Sequence, residues 1–425
     1  MQTRVASVVL TLSMLLALPS PARAVDLSGQ SRSYLQARET TNSSTQMPFL
    51  EYLDFKAEDL GTKSFSFHFG GWLRYDLNND TTRDRSKSNS DLQYAYLRLR
   101  GERANATANL GRILVNEGVA SEQIDGIHVK AALLGGFGIA AFGGVPVETD
   151  FDGRNRDSVY GGRISHGVDS LYRIGVSALI EKNTGTNFRK EQGVDLWFKP
   201  FSKIELLGNS FYNATTSAWM IHSYALTLGP FAGLRLTGSA SQVSYADYFT
   251  SSTTSAFTFD PTFIDPKEKL TTTGVEAAYT FSGPVTLSAD YKKYDYLIAG
   301  PADYSGGKLS WSVPKKGSVG LSSHRMNGET SKLRYHEYRL YAKKYFGKFD
   351  IAADYLNVRY DEKINDIRNA SAAVLAAGYA VTGRLRFGAD VEYARNPYYD
   401  RDVRGFIKLV YNFDTTLSSS TTRRK

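Results

Sequence analysis

Residues 64–77 read SFSFHFGGWLRYDL, and apolar and polar side chains alternate along them. Phe65, Phe67, Phe69, Leu73, Tyr75 and Leu77 fall on one parity, and Ser64, Ser66, His68, Arg74 and Asp76 on the other. A repeat of two residues is the period of a β-strand with one greasy face and one wet face. Strands of soluble domains average about five or six residues, whereas this run holds fourteen. The same pattern returns at 91–100, 171–180, 231–240, 271–281, 285–292, 349–360 and 386–393, with no helical period of comparable length beside it. Long strands with one apolar face fit a lipid bilayer, where about 9–11 tilted residues make a crossing. Lipid offers no hydrogen bonds, so a sheet crosses it only as a closed cylinder.

The connections point the same way. Tight turns are predicted at 101–102, 134–136, 166–169, 199–203, 229–230, 282–284, 346–348 and 381–383. Longer polar stretches lie between them, at 78–90, 145–157, 181–187, 244–269, 297–305, 361–367 and 397–401. Short turns on one rim and long loops on the other are the pattern of an outer-membrane barrel, the short side facing the periplasm. The expected fold is therefore all-β, a transmembrane antiparallel β-barrel of about 20–22 strands, with 31–56 and 306–324 weakly patterned. Its backbone cylinder would be on the order of 40 Å across. Much of the tyrosine should sit in girdles at the two membrane interfaces. A soluble sandwich or propeller also alternates, but with shorter strands and tighter turn spacing.

No later segment reads as a spanning helix. The most apolar, AALLGGFGIAAFGGVPV (131–147), carries five glycines and Pro146 and divides at Leu134–Gly136 into a hairpin. The N-terminus is different. Arg4, the apolar run 8–18, Pro19, Pro21 and Ala22-Arg23-Ala24 compose a secretory signal peptide, 1–24. The barrel is expected over 25–413, followed by a polar C-terminal tail, 414–425. Export of such a barrel places it in the outer membrane of a Gram-negative bacterium, with membrane lipid as its first partner.

The chain has no cysteine, which excludes a disulfide framework, thiolate metal sites and covalent haem attachment through Cys-x-x-Cys-His. Its formal charge of +8 falls to +6 without Arg4 and Arg23, and Arg423, Arg424 and Lys425 supply three of those charges. The remainder is too mild for nucleic-acid binding. Catalytic motifs are missing as well: there is no G-x-S-x-G, H-E-x-x-H or P-loop. His68, His128, His166, His222, His324 and His336 are scattered over separate strands or turns. No catalytic, cofactor-binding or metal-ligating residue is therefore assigned, and the chain is not read as an enzyme.

Function should lie in the lumen. His68, Arg74, Arg98, Arg100, Asp290, Lys292, Glu337, Arg339, Asp354, Asp390 and Glu392 oppose apolar neighbours and are expected to face inward. Such mixed charge tunes selectivity or ties opposing parts of a wall. Gly138, Ala140 and Gly144 are small inward positions, and SAAVLAAGYA (371–380) is similar. They leave room for another backbone to approach, either an occupant or a loop of this chain folded inward. The loop 244–269 carries Tyr245, Tyr248, Phe249, Phe257, Phe259 and Phe263, as a partner surface, a constriction or a simple extension of the strands.

Two resemblances add to this reading. GFIKLVYNF (405–413) resembles the C-terminal signal read by the outer-membrane barrel assembly machinery, although twelve residues follow it here. FLEYLDFKAEDLGTKSFSFHFGGWLRYDL (49–77) and DGRNRDSVYGGRISH (152–166) resemble the porin component of porin–cytochrome conduits of metal-reducing bacteria. The likeness is clearest over the first 140 mature residues. It implies a barrel that sheathes a multihaem c-type cytochrome, with periplasmic and outer-surface cytochromes as partners and with haem held only by those partners. The N-terminal Cys-x-x-Cys of one branch of such sleeves is lacking. A passive porin for small solutes stays open beside the sleeve.

Overall fold

The computed structural model describes residues 25–39, 45–78, 87–101, 105–147, 157–249, 265 and 267–417. The expected signal peptide, residues 418–425 of the tail, and 79–86, 148–156 and 250–264 of the expected loops lie outside these residues.

Strand segments follow one another along the chain: β1 (Val25–Glu39), β2 (Thr45–Gln46), β3 (Pro48–Glu58), β4 (Phe65–Asp76), β5 (Ser88–Arg100), β6 (Ala106–Glu117), β7 (Ala120–Ala132) and β8 (Phe137–Pro146). After these come β9 (Ser158–Val168), β10 (Tyr172–Asn183), β11 (Thr186–Phe201), β12 (Ile204–Asn213), β13 (Ala218–Phe231), β14 (Leu234–Ser244) and β15 (Lys269–Thr280). The remainder are β16 (Val285–Tyr296), β17 (Gly300–Val313), β18 (Gly317–Gly328), β19 (Arg334–Phe346), β20 (Phe349–Ile364), β21 (Ile367–Ala380), β22 (Leu385–Asn396) and β23 (Tyr399–Leu417). Segments β2 and β3 are one wall strand interrupted at Met47, both paired to β1, so the sheet has 22 strands. Each pairs antiparallel with the next, and β1 pairs with β23 through the fifteen register pairs from Val25↔Leu417 to Glu39↔Val403. The cylinder is closed. At about 4.8 Å between strands and a tilt of about 40°, its backbone is about 44 Å across.

One face of this wall is apolar and open. Leu110, Ile164 and Leu375 are 60%, 62% and 60% exposed, an arrangement suited to acyl chains rather than water. Aromatic residues gather near the strand ends. Phe55 stacks on Phe69 with centroids 5.2 Å apart, and Tyr411 lies beside Phe413. Gly29 makes room for this cluster: a Cβ there would meet the Phe413 ring at 2.6 Å. Near the other rim Trp219 packs on Tyr212 and His222, at 5.3 and 4.8 Å.

The structure shortens several expected loops. Between β10 and β11 only Thr184 and Gly185 intervene, both at positive φ, and Asn365-Asp366 make the same kind of turn between β20 and β21. The stretches 297–305 and 397–401 reduce to 297–299 and 397–398. Strands that rise beyond the bilayer lose their apolar outer face, so their sequence looks like loop. The weakly patterned stretches 31–56 and 306–324 hold strands as well. In the loop 244–269, α1 (Tyr245–Phe249) forms first, while Phe257, Phe259 and Phe263 fall outside the described residues. The last strand runs four residues past Phe413, so Asp414–Leu417 belong to the wall rather than to the tail. The hairpin division at Leu134–Gly136 is present as a short turn of helix between β7 and β8.

Candidate functional site, the barrel lumen

Contacts between strands that are not neighbours identify the inside. The Val119 backbone N–H donates to Ser177 Oγ at 2.9 Å, joining the β6–β7 turn to β10. Arg189 of β11 pairs with Glu122 of β7. On a convex cylinder such links run only across the interior. Alternation and register then carry the inner face around the sheet.

The expected lumen residues fall on that face in the following surroundings. His68 stacks on Tyr96 at 4.8 Å and bonds Ser66 Oγ at 3.1 Å. Arg74 lies 3.7 Å from Asp76. Arg98 donates to Asn109 Oδ1 at 2.9 Å and to the Tyr96 hydroxyl at 3.1 Å. Arg339 makes a two-pronged pair with Asp354, at 3.0 and 2.5 Å. Asp390 pairs with Lys408. His324 contacts Asp290 at 3.0 Å and stacks on Tyr304, whose hydroxyl donates to Glu337 at 3.4 Å. Glu392 lies opposite Arg404 in the register. Arg100 and Lys292 have no carboxylate partner among the described residues. These charges do not converge on one centre; they are strung along the wall as separate local pairs.

Sequence reasoning missed the feature that shapes the lumen. Strands β5 and β6 pair only over Ala95–Arg100 with Thr107–Arg112, the shortest ladder among consecutive wall strands. Above it the β6–β7 hairpin leaves the wall and folds into the lumen. It bends so sharply that Glu117 at its tip reaches His128 at 3.2 Å and Lys130 at 2.6 Å, far down β7. The bend crosses a row of glycines in register, Gly111, Gly126 and Gly144. Gly111 has φ +131°, and a Cβ on Gly126 would meet Gly144 Cα at 2.6 Å. Only residues without side chains let the backbone turn inward here.

Between the folded hairpin and the wall lies the one buried hydrophobic cluster among the described residues: Ile113, Val115, Val119, Ala120 and Ile124 of the hairpin with Phe142, Val159 and Leu179 of the wall. Polar ties surround it. Arg163 makes a two-pronged pair with Asp195, at 2.9 and 2.5 Å. Arg189, besides Glu122, lies 3.1 Å from Glu191 and 3.7 Å from Glu181, all four groups being nearly buried. One signal was available in the sequence. In ILV (113–115) both parities are apolar, which marks a strand covered on two faces.

Gly138, Ala140 and Gly144 therefore have this chain's own atoms next to them. A Cβ on Gly138 would meet Ser165 Oγ at 2.8 Å, Ala140 is 6% exposed, and Gly144 belongs to the bend. The departure of the hairpin also leaves the β5 edge above Ala95 without a backbone partner. Side chains fill in for it. Arg112 donates to the Leu92 carbonyl at 3.2 Å, and Gln123 donates to the Leu92 and Gln93 carbonyls at 3.1 and 2.6 Å. Arg112 also grips Asp125 with two bonds, at 2.7 and 2.8 Å.

No family profile matches the sequence, and no curated protein does. Solved structures match in fold. A mutant of the ferric enterobactin receptor PfeA from Pseudomonas aeruginosa has a TM-score of 0.59 at 9% identity, over 93% of this chain and 81% of that one. The translocation pore of the P pilus usher PapC has a TM-score of 0.51 at 9% identity, over 92% and 99%. OccK11 (OpdR) from Pseudomonas aeruginosa matches at 0.43 and 10% identity, over 92% and 96%. The chain has the fold of an outer-membrane β-barrel channel.

Proposed function

We propose that this barrel is a sleeve in the outer membrane, holding a multihaem c-type cytochrome in its lumen so that electrons cross the bilayer. The observation that carries this reading is the width of the wall. Twenty-two strands enclose far more space than the single inward hairpin occupies among the described residues. An empty cylinder of about 44 Å would be a costly leak for a cell; a slender protein inside it would seal the hole. The stretches 49–77 and 152–166, which resemble conduit porins, support the same assignment. A chain without cysteine cannot attach c-type haem, so haem would arrive on the partner, and this chain's part is to hold, orient and insulate it. No chemical step is assigned to its own side chains.

A passive porin is the second reading, favoured by the mixed charges of Arg339, Asp354, Lys408 and Asp390 along a wall that would be wet if nothing filled it. Affinity purification of the tagged barrel from solubilised outer membranes, followed by haem staining, separates the two. A haem-bearing protein recovered in stoichiometric amount supports the sleeve. Steady ohmic conductance from a barrel that never brings down haem would leave the porin.

A further inference from the structure

We propose that the tip of the β6–β7 hairpin, Ile113–Ile124, is a movable strap across the lumen: latched inward it narrows the pore, and released it returns to the wall against β5.

Three independent observations give this segment a hinge, a latch and an edge on β5 to which it can return. The hinge is the register row Gly111–Gly126–Gly144, where the backbone turns without a side chain in the way. The latch is polar and therefore reversible. It comprises the Val119 N–H on Ser177, Glu122 on Arg189, and Glu117 on His128 and Lys130. The berth is the β5 edge from Asn89 to Tyr94, which is outside the ladder to β6 among the described residues. Its Leu92 and Gln93 carbonyls are held by Arg112 and Gln123, side-chain donors that backbone N–H groups of β6 can replace as the ladder extends. The hydrophobic cluster between strap and wall sets the bias toward the latched state. Arg189 is the keystone of the latch. It reaches from the wall to Glu122 of the strap while also facing Glu181 and Glu191, and removing it takes away this link across the seam between strap and wall. The proposal does not depend on what fills the lumen, so it stands or falls apart from the sleeve reading.

The absence of native cysteine makes the test clean. Val119→Cys with Ser177→Cys ties the strap to β10 under oxidation and frees it under reductant. The barrel alone, in planar bilayers, is compared with and without the Arg189→Ala change. Arg189→Ala should raise single-channel conductance about two-fold and add flicker, as a wider cross-section opens and closes. In the same variant the oxidised cysteine pair should return conductance to the wild-type level, and reductant should raise it again. Equal conductance of the oxidised and reduced forms would overturn the proposal. Should Arg189→Ala fail to assemble, Glu122→Gln removes the strap's half of the same contact and is read in the same way. Recovery of a haem-bearing partner is a separate measurement, and its failure would sink the sleeve while leaving these outcomes intact.

Discussion

On the inner face of β6–β11, Ile113, Ile124, Val159 and Leu179 are at most 1% exposed, whereas the inner face of β16–β23 presents Arg339 and Asp354 with side chains 53% and 36% exposed. Both are the lumenal side of one sheet, with the same alternation and the same lipid behind them. The difference lies in what each touches. The first region packs against the inward-folded tip of its own β6–β7 hairpin, which brings Ile113 and Ile124 into a small hydrophobic core; the second has no such cover among the described residues and carries charges paired within the wall. The inside of a barrel therefore has no fixed polarity, and side-chain character follows contact rather than topology.

Substitutions can break that contrast or sharpen it. The largest effect is expected from Ile124→Asp, which puts an unpaired charge on the buried face of the strap and should cost about 3–5 kcal/mol in urea unfolding of the folded barrel. Ser318→Asp, on the open wall near Lys308 and Lys343, should stay within about 0.5 kcal/mol. Equal losses at the two sites would erase the distinction between the walls. Leu179→Ala follows, at about 3 kcal/mol for a cavity in a packed cluster, with the same unfolding assay as its measure. Arg112→Ala removes one of the two donors to the Leu92 carbonyl together with the two-pronged pair to Asp125 and should cost about 2 kcal/mol, with faster amide exchange at the β5 edge. Of the changes that remove a contact, the smallest is Arg339→Ala. Its pair with Asp354 is well aligned but half open, so less than about 1 kcal/mol is expected, and added salt should shrink it further.

What the sequence revealed and what it concealed divide along the same line. The strict alternation of 64–77 is legible because the bilayer acts on every strand separately: each outward side chain meets lipid whatever the neighbouring strands do. The inward parity of His68, Arg98 and Arg339 follows from that rule alone. The strap is different. Whether Val119 reaches Ser177 depends on two segments 58 residues apart, and local period carries no such information. Arg112 and Asp125 mislead for the same reason. They fall on the lipid parity, yet the bend in their hairpin turns them toward the β5 edge. The expected loops at 181–187 and 361–367 failed because strand above the membrane is polar on both faces, as loops are.

The fifteen-pair seam between β1 and β23 has a bearing on how the molecule is made. It is the longest ladder among the described residues, and it joins the strand synthesised first to the one synthesised last. Every other ladder can zip with a neighbour already at hand, but the initial strand must wait, one edge bare, until the final one is delivered. Contacts so remote in sequence form slowly, and an unpaired edge invites mispairing while it waits. The leading edge thus stays open for the whole span of synthesis, and its closure waits on the trailing strand.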